Sequence, residues 1–180
     1  MPDAPPDPDV ILVDALDRET GRAARERAHA GEGLLHRAIS LYVFDGRGRV
    51  LLQRRAAAKR LWPGGWSNAC CTHPLPGETV EAACRRRARE ELGLEVEPRF
   101  AFRYTYAAAY RDVGVEREVC HVFTAVLSTA DVAGDPAEVE ATEWRDAADV
   151  LEALDRDPEA YTPWFRIAFR RLRAERFPAR

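Results

Sequence analysis

Cys71 and His73 lie two residues apart in the stretch Trp62-Pro63-Gly64-Gly65-Trp66-Ser67-Asn68-Ala69-Cys70-Cys71-Thr72-His73-Pro74. If residues 69 to 73 run extended, the two side chains share one face, because strand side chains alternate with period 2. A thiol able to carry a proton then stands beside an imidazole able to bind a metal. Pro74 has no N–H to give a ladder and ends the strand. Taken alone, the stretch reads first as a buried strand in which cysteine acts as a small hydrophobe.

His29, His36 and His73 are three of only four histidines in the chain. Glu116 and Glu118, at i and i+2 in a β-rich segment, turn both carboxylates the same way. Three imidazoles and two carboxylates suit a divalent ion such as Mn2+, Mg2+ or Zn2+. Spacing alone does not bring the five together, and from spacing alone five unrelated residues is the simpler reading. His121 falls on the other face of its strand and is read as structural. Arg25, Arg55, Lys59 and Arg87 form a third candidate group, cations that only the fold could gather; scattered basic residues are usually solvated.

These residues need elements to hold them. Val10 to Val13 is a short apolar run, expected at a sheet edge. Asp17 to Gly21 reads as a turn and Arg22 to Ala30 as a short helix ending near Gly31. Leu34 to Phe44 alternates, with Ile39, Leu41 and Val43 on one face and His36, Ala38, Ser40 and Tyr42 on the other. Asp45-Gly46-Arg47-Gly48 signals a hairpin, with Val50 to Arg55 as the return strand. Thr79 is the expected N-cap of a helix running to Leu92, with Gly93 at its stop. Val80, Cys84, Ala88 and Leu92 form its apolar stripe. Arg99 to Tyr106 and Glu118 to Leu127 read as paired strands joined by a longer loop around Tyr110 to Gly114. Ala141 to Trp144 is a strand and Asp146 to Leu154 a helix. Thr162-Pro163, N-cap and first-turn proline, opens a terminal helix with Trp164, Phe165, Ala168, Phe169 and Leu172 on its apolar face. Strands interleaved with helices predict a mixed α/β or α+β sheet layered by helices.

Composition sets bounds on function. The chain has 180 residues, net charge −3 and 32% charged residues, which fits one globular domain over residues 10 to 180. Met1 to Asp9 is Pro- and Asp-rich and reads as a disordered tail rather than a signal peptide. No apolar run reaches the roughly 20 residues of a membrane helix, so no membrane partner is expected. Arginines dispersed among acids give no nucleic-acid footprint. Cys70, Cys71, Cys84 and Cys120 contain no CxxC pair, which argues for a reduced, cytoplasmic setting.

The helix after Thr79 resembles the Nudix box, G-x5-E-x7-R-E-U-x-E-E-x-G-U. The register places Thr72 at the first Gly, then Glu78, then Arg86-Arg87-Ala88-Arg89-Glu90-Glu91-Leu92-Gly93-Leu94. Arg87 stands where a metal-binding glutamate is expected, and a cation there suits holding a diphosphate better than hydrolysing it. With the Trp62 to Pro74 stretch, Arg54-Arg55-Ala56, Phe102-Arg103-Tyr104, Glu116-Arg117-Glu118 and Thr162-Pro163-Trp164, the chain resembles type I isopentenyl-diphosphate isomerases, from about Val10 to the terminal helix.

The resemblance implies a Nudix-like mixed sheet sandwiched between helices, and isomerisation of isopentenyl to dimethylallyl diphosphate through a tertiary carbocation. It implies Cys71 as catalytic thiol, with Glu118 and Tyr104 as the proton-handling group opposite. It puts His29, His36, His73, Glu116 and Glu118 on a metal, and Glu91 on a Mg2+ that accompanies the diphosphate. Arg25, Arg55, Lys59 and Arg87 are implied diphosphate contacts, although some members carry Lys at the position of Arg25. Trp164 is implied to face the hydrocarbon end. The substrate would be a small isoprenoid diphosphate, acted on by a monomer or homodimer. The competing activity is Nudix hydrolysis of a diphosphate, whose mark would be a glutamate in place of Arg87.

Overall fold

The computed structural model describes residues 8–127, 132 and 134–176. The elements are β1 (Asp9–Val13), β2 (Glu19–Ala24), α1 (Arg25–Ala28), β3 (His36–Asp45), β4 (Arg49–Arg55), β5 (Trp66–Ser67), β6 (Cys70–Thr72), α2 (Val80–Leu92), β7 (Arg99–Tyr110), β8 (Gly114–Leu127), β9 (Val139–Asp146), α3 (Ala147–Arg156) and α4 (Pro163–Ala174), with a 3-10 turn at Pro158–Ala160 before α4. The expected tail lies outside the described residues as far as residue 7, and Asp9 already opens β1.

Strand β3 organises the sheet. One edge pairs in parallel with β8, from His36 opposite Glu118 to Asp45 opposite Leu127. The other edge is shared by three antiparallel partners in turn. They are β1 at His36, β6 from Ile39 to Leu41, and β4 at Phe44. β7 closes a hairpin on β8, while β5 and β9 pair with β4.

The strand period sorts residues into two cores. Ile39, Leu41, Val43 and Leu51 pack with Cys70 and with Ala83, Cys84, Ala88 and Leu92 of α2. Tyr42, Phe44, Val50 and Leu52 pack on the opposite side with Val150 and Leu154 of α3 and Phe165, Phe169 and Leu172 of α4. The sheet is thus covered by helices on both faces, as alternation predicts. α2 starts and stops where expected. The Thr79 hydroxyl accepts from Ala82 N at 3.2 Å and Gly93 takes the left-handed conformation at φ 65°, which Cβ-bearing residues resist. No helix among the described residues is long and apolar enough to cross a membrane.

Three expectations change. β1 is not at the edge, because β2 pairs along its far side and takes that place. The turn lies earlier than Asp17 to Gly21. The Asp14 carboxylate accepts from the main-chain N–H groups of Leu16 and Arg18 at 2.9 and 3.0 Å, closing the turn in time for Glu19 to begin a strand. Residues 22 to 24, expected in a helix, are therefore extended, and only Arg25–Ala28 is helical. Pairing along β1 here overrides local helix propensity. Last, β7 and β8 run on to Tyr110 and back from Gly114, so the long loop is a tight turn of residues 111 to 113. Gly114 is needed there, since a Cβ would lie 2.9 Å from the main-chain oxygen of His29.

Candidate active site

The five residues of the expected metal group converge. His29 follows α1, His36 opens β3, His73 follows β6, and Glu116 and Glu118 project from the same face of β8. One ligand atom from each lies within 4.8 Å of all the others. The imidazoles meet with ring centroids 4.7 to 5.2 Å apart. His29 Nε2 is 2.9 Å from Glu116 Oε2, and His73 Nε2 is 3.1 Å from Glu118 Oε1. His29 Nδ1 and His36 Nδ1 each lie 2.7 Å from a main-chain oxygen, of Arg25 and of Leu34. A carbonyl only accepts, so each Nδ1 carries a proton and each Nε2 faces the centre. Burial opposes the charged form of His29, but its hydrogen bond to Glu116 outweighs that and holds it above the usual imidazole range. His36 Nε2 then faces His73 Nε2 at 3.1 Å. Burial, reinforced by His36, pushes His73 well below the usual imidazole range and keeps it neutral. Three inward ring nitrogens and two carboxylates on one point are a donor set that fits a divalent cation.

The neighbouring strand supplies the thiol. Within β6, Cys70 is fully buried toward α2, while Cys71 turns the other way, opposite Ser40. The Cys71 sulfur is 3.2 Å from both Ser40 Oγ and Asn68 Oδ1. Burial pushes the thiol up to about 12, against the pull of those two hydrogen bonds, so it is held protonated.

Glu118 has its two oxygens in different surroundings. Oε1 faces His73 and His36, at 3.1 and 3.6 Å. Oε2 accepts from the Tyr106 hydroxyl at 2.7 Å. Burial alone would raise this carboxyl, but His36 and Tyr106 outweigh it and hold the group below the usual carboxylate range. Tyr106, not Tyr104, is the tyrosine that reaches Glu118. Tyr104 lies opposite Cys120, and its hydroxyl donates to the main-chain oxygen of Trp164 at 3.3 Å. Sequence reasoning missed Tyr106 because which tyrosine stands opposite Glu118 depends on the hairpin register. His121 pairs with Asp17 at 2.8 Å on the far face, as expected of a structural histidine.

One cleft joins these groups. Its lining includes Cys71, His73, Tyr106, Glu116, Glu118 and Trp164, together with Arg25, Arg55, Lys59 and Arg87. The Trp-Pro-Gly-Gly-Trp loop wraps Arg55, whose guanidinium donates to the main-chain oxygens of Leu61 and Trp62 at 2.8 to 3.2 Å. That guanidinium also lies over the Trp164 ring, 5.4 Å from its centroid, so the indole face accepts a cation here. Burial pushes Lys59 down to about 8. Glu91 opposes that shift, and the positive charges of Arg55, Arg25 and Arg87 reinforce it. Three half-buried, mutually repelling cations with exposed Arg25 beside them are built for an anion.

A model of the NUDIX domain matches residues 34–165. An isopentenyl-diphosphate Delta-isomerase of Burkholderia multivorans is 43% identical over 162 residues, spanning 90% of this chain and 91% of that protein. The Nocardia farcinica protein of the same name is 46% identical, spanning 86% and 89%. The chain belongs to the isopentenyl-diphosphate Delta-isomerase family. Among solved structures, a Deinococcus radiodurans protein superposes with a TM-score of 0.75 at 23% identity, over 91% of this chain and 98% of that one. The MutT protein of Methanosarcina mazei follows at 0.66 and 21%, over 79% and 96%. These two likenesses establish the fold.

Within this isomerase the Nudix box is reworked into charge pairs. Glu78 accepts two bonds from Arg86, at 2.8 and 2.9 Å. Arg87 pairs with Glu91 and, at 3.3 Å, with Glu138. Glu91 is buried in the last turn of α2, where the helix dipole disfavours an acid. An acid kept in so poor a place points to a role beyond stability. Glu138, which also pairs with Lys59, was not singled out from sequence. It lies in the segment before β9, and no local pattern marks it.

Proposed function

We propose that the chain converts isopentenyl diphosphate to dimethylallyl diphosphate, with Cys71 and the Glu118–Tyr106 pair as its two proton-transfer groups. The observation that carries this reading is their presence in one cleft with four cations and an indole. Moving the double bond by one carbon adds a proton at C4, leaves a tertiary cation at C3, and removes a proton from C2. Two proton carriers are therefore needed, one for each carbon. By reversibility each gives a proton in one direction and takes one in the other. The Trp164 face stabilises the cation by up to about 2 kcal/mol. Trp62 packs edge-on against Trp164 at 5.2 Å, and with Tyr104 and Tyr106 it walls that end against water, which would trap the cation.

Arg25, Arg55, Lys59 and Arg87 hold the diphosphate in this reading, and Glu91 takes the Mg2+ that accompanies it. The His29, His36, His73, Glu116 and Glu118 group takes Mn2+, Mg2+ or Zn2+. A divalent ion there supplies positive charge that orients Glu118 and keeps it ionised. Tyr104, bonded to the Trp164 main chain, supports the wall of the pocket. The diphosphate hydrolase is the competing reading, and Arg87 disfavours it. Arg87 stands where a hydrolase would carry one more glutamate for its water-activating metal, so that carboxylate set is one member short. Incubation with isopentenyl diphosphate and Mg2+ separates the two. The isomerase yields dimethylallyl diphosphate and no free phosphate or diphosphate, whereas their release without isomer would replace this reading with hydrolysis.

A further inference from the structure

A buried chain of polar groups runs behind the hydrocarbon end of the cleft. Trp164 Nε1 donates to Ser67 Oγ at 3.0 Å. Thr162 Oγ1 lies 3.0 Å from the same Ser67 oxygen. Ser67 donates to Asn68 Oδ1 at 3.1 Å. Asn68 Nδ2 donates to the main-chain oxygens of Leu41 at 3.1 Å and Cys70 at 2.8 Å. Ser67, Asn68, Thr162 and Trp164 are all buried.

The direction of the chain follows from its ends. An indole N–H can only donate, so Ser67 must accept from it and has one proton left to give. Asn68 directs its N–H groups at the two carbonyls and turns its oxygen toward Ser67, while the Cys71 sulfur sits against the amide, 3.1 Å from Nδ2 and 3.2 Å from Oδ1. The Thr162 hydroxyl takes part at the expense of its local duty. It stands at the N-cap position of α4 yet makes no capping hydrogen bond, contrary to the sequence expectation. A residue type preferred for capping here serves Ser67 instead.

Resting on the isomerase function proposed above, we infer that Ser67 and Asn68 are positioning residues that fix the Trp164 indole and the Cys71 thiol relative to one another. A cation is attracted by the face of an indole and not by its edge, so an indole free to turn in its slot loses the interaction. The tie through Nε1 prevents that turn. At its other end the same chain holds the Cys71 sulfur against the Asn68 amide. The two groups that act on the hydrocarbon are thereby held through one hydroxyl and one amide.

The test is a double-substitution cycle on the full chain. Ser67→Ala should lower kcat roughly ten-fold, within what small misplacements cost, while KM for isopentenyl diphosphate changes less than about two-fold. Ser67→Thr keeps the hydroxyl and should stay within about three-fold of wild type. Trp164→Phe removes the indole N–H, so adding Ser67→Ala to it should cost less than about two-fold further. Equal effects of Ser67→Ala in both backgrounds, wild-type kcat in Ser67→Ala, or a rise in KM without loss of kcat would each overturn the inference. If Ser67→Ala does not fold, the indole N–H resonance of Trp164, assigned by its loss in Trp164→Phe, decides. It should exchange slowly in wild type and in Ser67→Thr, and exchange at the rate of free indole would overturn the tie. A wild-type chain that fails to isomerise refutes the functional reading itself, whereas an active wild type with an additive cycle refutes this inference alone.

Discussion

Adjacent cysteines that face opposite sides of one short strand make a clean test of the chemistry. Cys71→Ala removes a proton carrier, and such groups contribute about 10²- to 10⁴-fold. At about 1.4 kcal/mol per decade that is a loss of roughly 3–5 kcal/mol in the transition state. Its effect on stability should be small. Asn68 Oδ1 keeps the Ser67 hydroxyl and Ser40 Oγ keeps the Cys120 thiol, so no buried acceptor is orphaned. About 1 kcal/mol is the expected cost of the lost hydrogen bonding. Cys70→Ala does the reverse. It opens a small cavity between β6 and α2, costing about 1–2 kcal/mol of stability, and leaves kcat near wild type. The assay is conversion of isopentenyl to dimethylallyl diphosphate at saturating substrate, with thermal unfolding followed on the same samples. Equal falls in kcat for the two variants, or a larger fall for Cys70→Ala, would refute the assignment of Cys71.

His36→Ala removes one inward imidazole and should lower the metal content found by elemental analysis; unchanged stoichiometry would count against the five-residue centre. Tyr106→Phe should reduce kcat about ten-fold, roughly the worth of a hydrogen bond to a charged group, and more than Tyr104→Phe does; the opposite order would return the proton-handling role to Tyr104. Lys59 gives the pH dependence. Its folded value of about 8 lies below the usual 10.5, so between these values the unfolded chain binds more protons and stability rises with pH. The charge that binds diphosphate is lost over the same rise, so KM for substrate should increase above pH 8. Lys59→Arg should flatten both trends, and a wild-type KM that is constant from pH 7 to 9 would contradict the assignment.

Much of the site was legible because the strand period is local. Cys71 with His73, and Glu116 with Glu118, needed only two-residue spacing to fall on one face. The caps of α2 were legible for the same reason, since Thr79 and Gly93 act within one helical turn. What was not legible depended on pairing across the sheet. Residues 22 to 24 have acceptable helix propensity, and only the place of the Asp14 turn shows that they extend β1's ladder. The choice between Tyr104 and Tyr106 needs the register of β7 on β8. That register is set by a three-residue turn and runs unbroken from Tyr110 opposite Gly114 to Phe102 opposite Val122. Thr162 was placed correctly as an N-cap position, but its hydroxyl went to Ser67, a partner 95 residues away. Glu138 carries no sequence mark and joins the site only through Lys59 and Arg87.

The layout also answers an electrostatic difficulty. A carbocation must form in the same cleft as four side-chain cations, which would oppose it if they stood alone. They do not stand alone once substrate is bound, because its diphosphate carries the compensating charge. In the free protein that charge is missing, and burial, with the neighbouring cations adding to it, holds Lys59 down. Glu91 and Glu138 share Arg87, and Glu138 also pairs with Lys59, so two carboxylates partly stand in for the absent anion. The hydrocarbon end is served differently, by an indole face, a neutral thiol and one carboxylate bonded to a tyrosine. Cys70 and Cys71 mark the division. One side chain of β6 packs on α2, whose C-terminal half carries Arg87 and Glu91, and the next faces the pocket closed by α4. A hydrolase gathers its carboxylates on the α2 side to activate water. Here Arg87 spoils that set, and the proposed chemistry lies across the strand, on the face of Cys71.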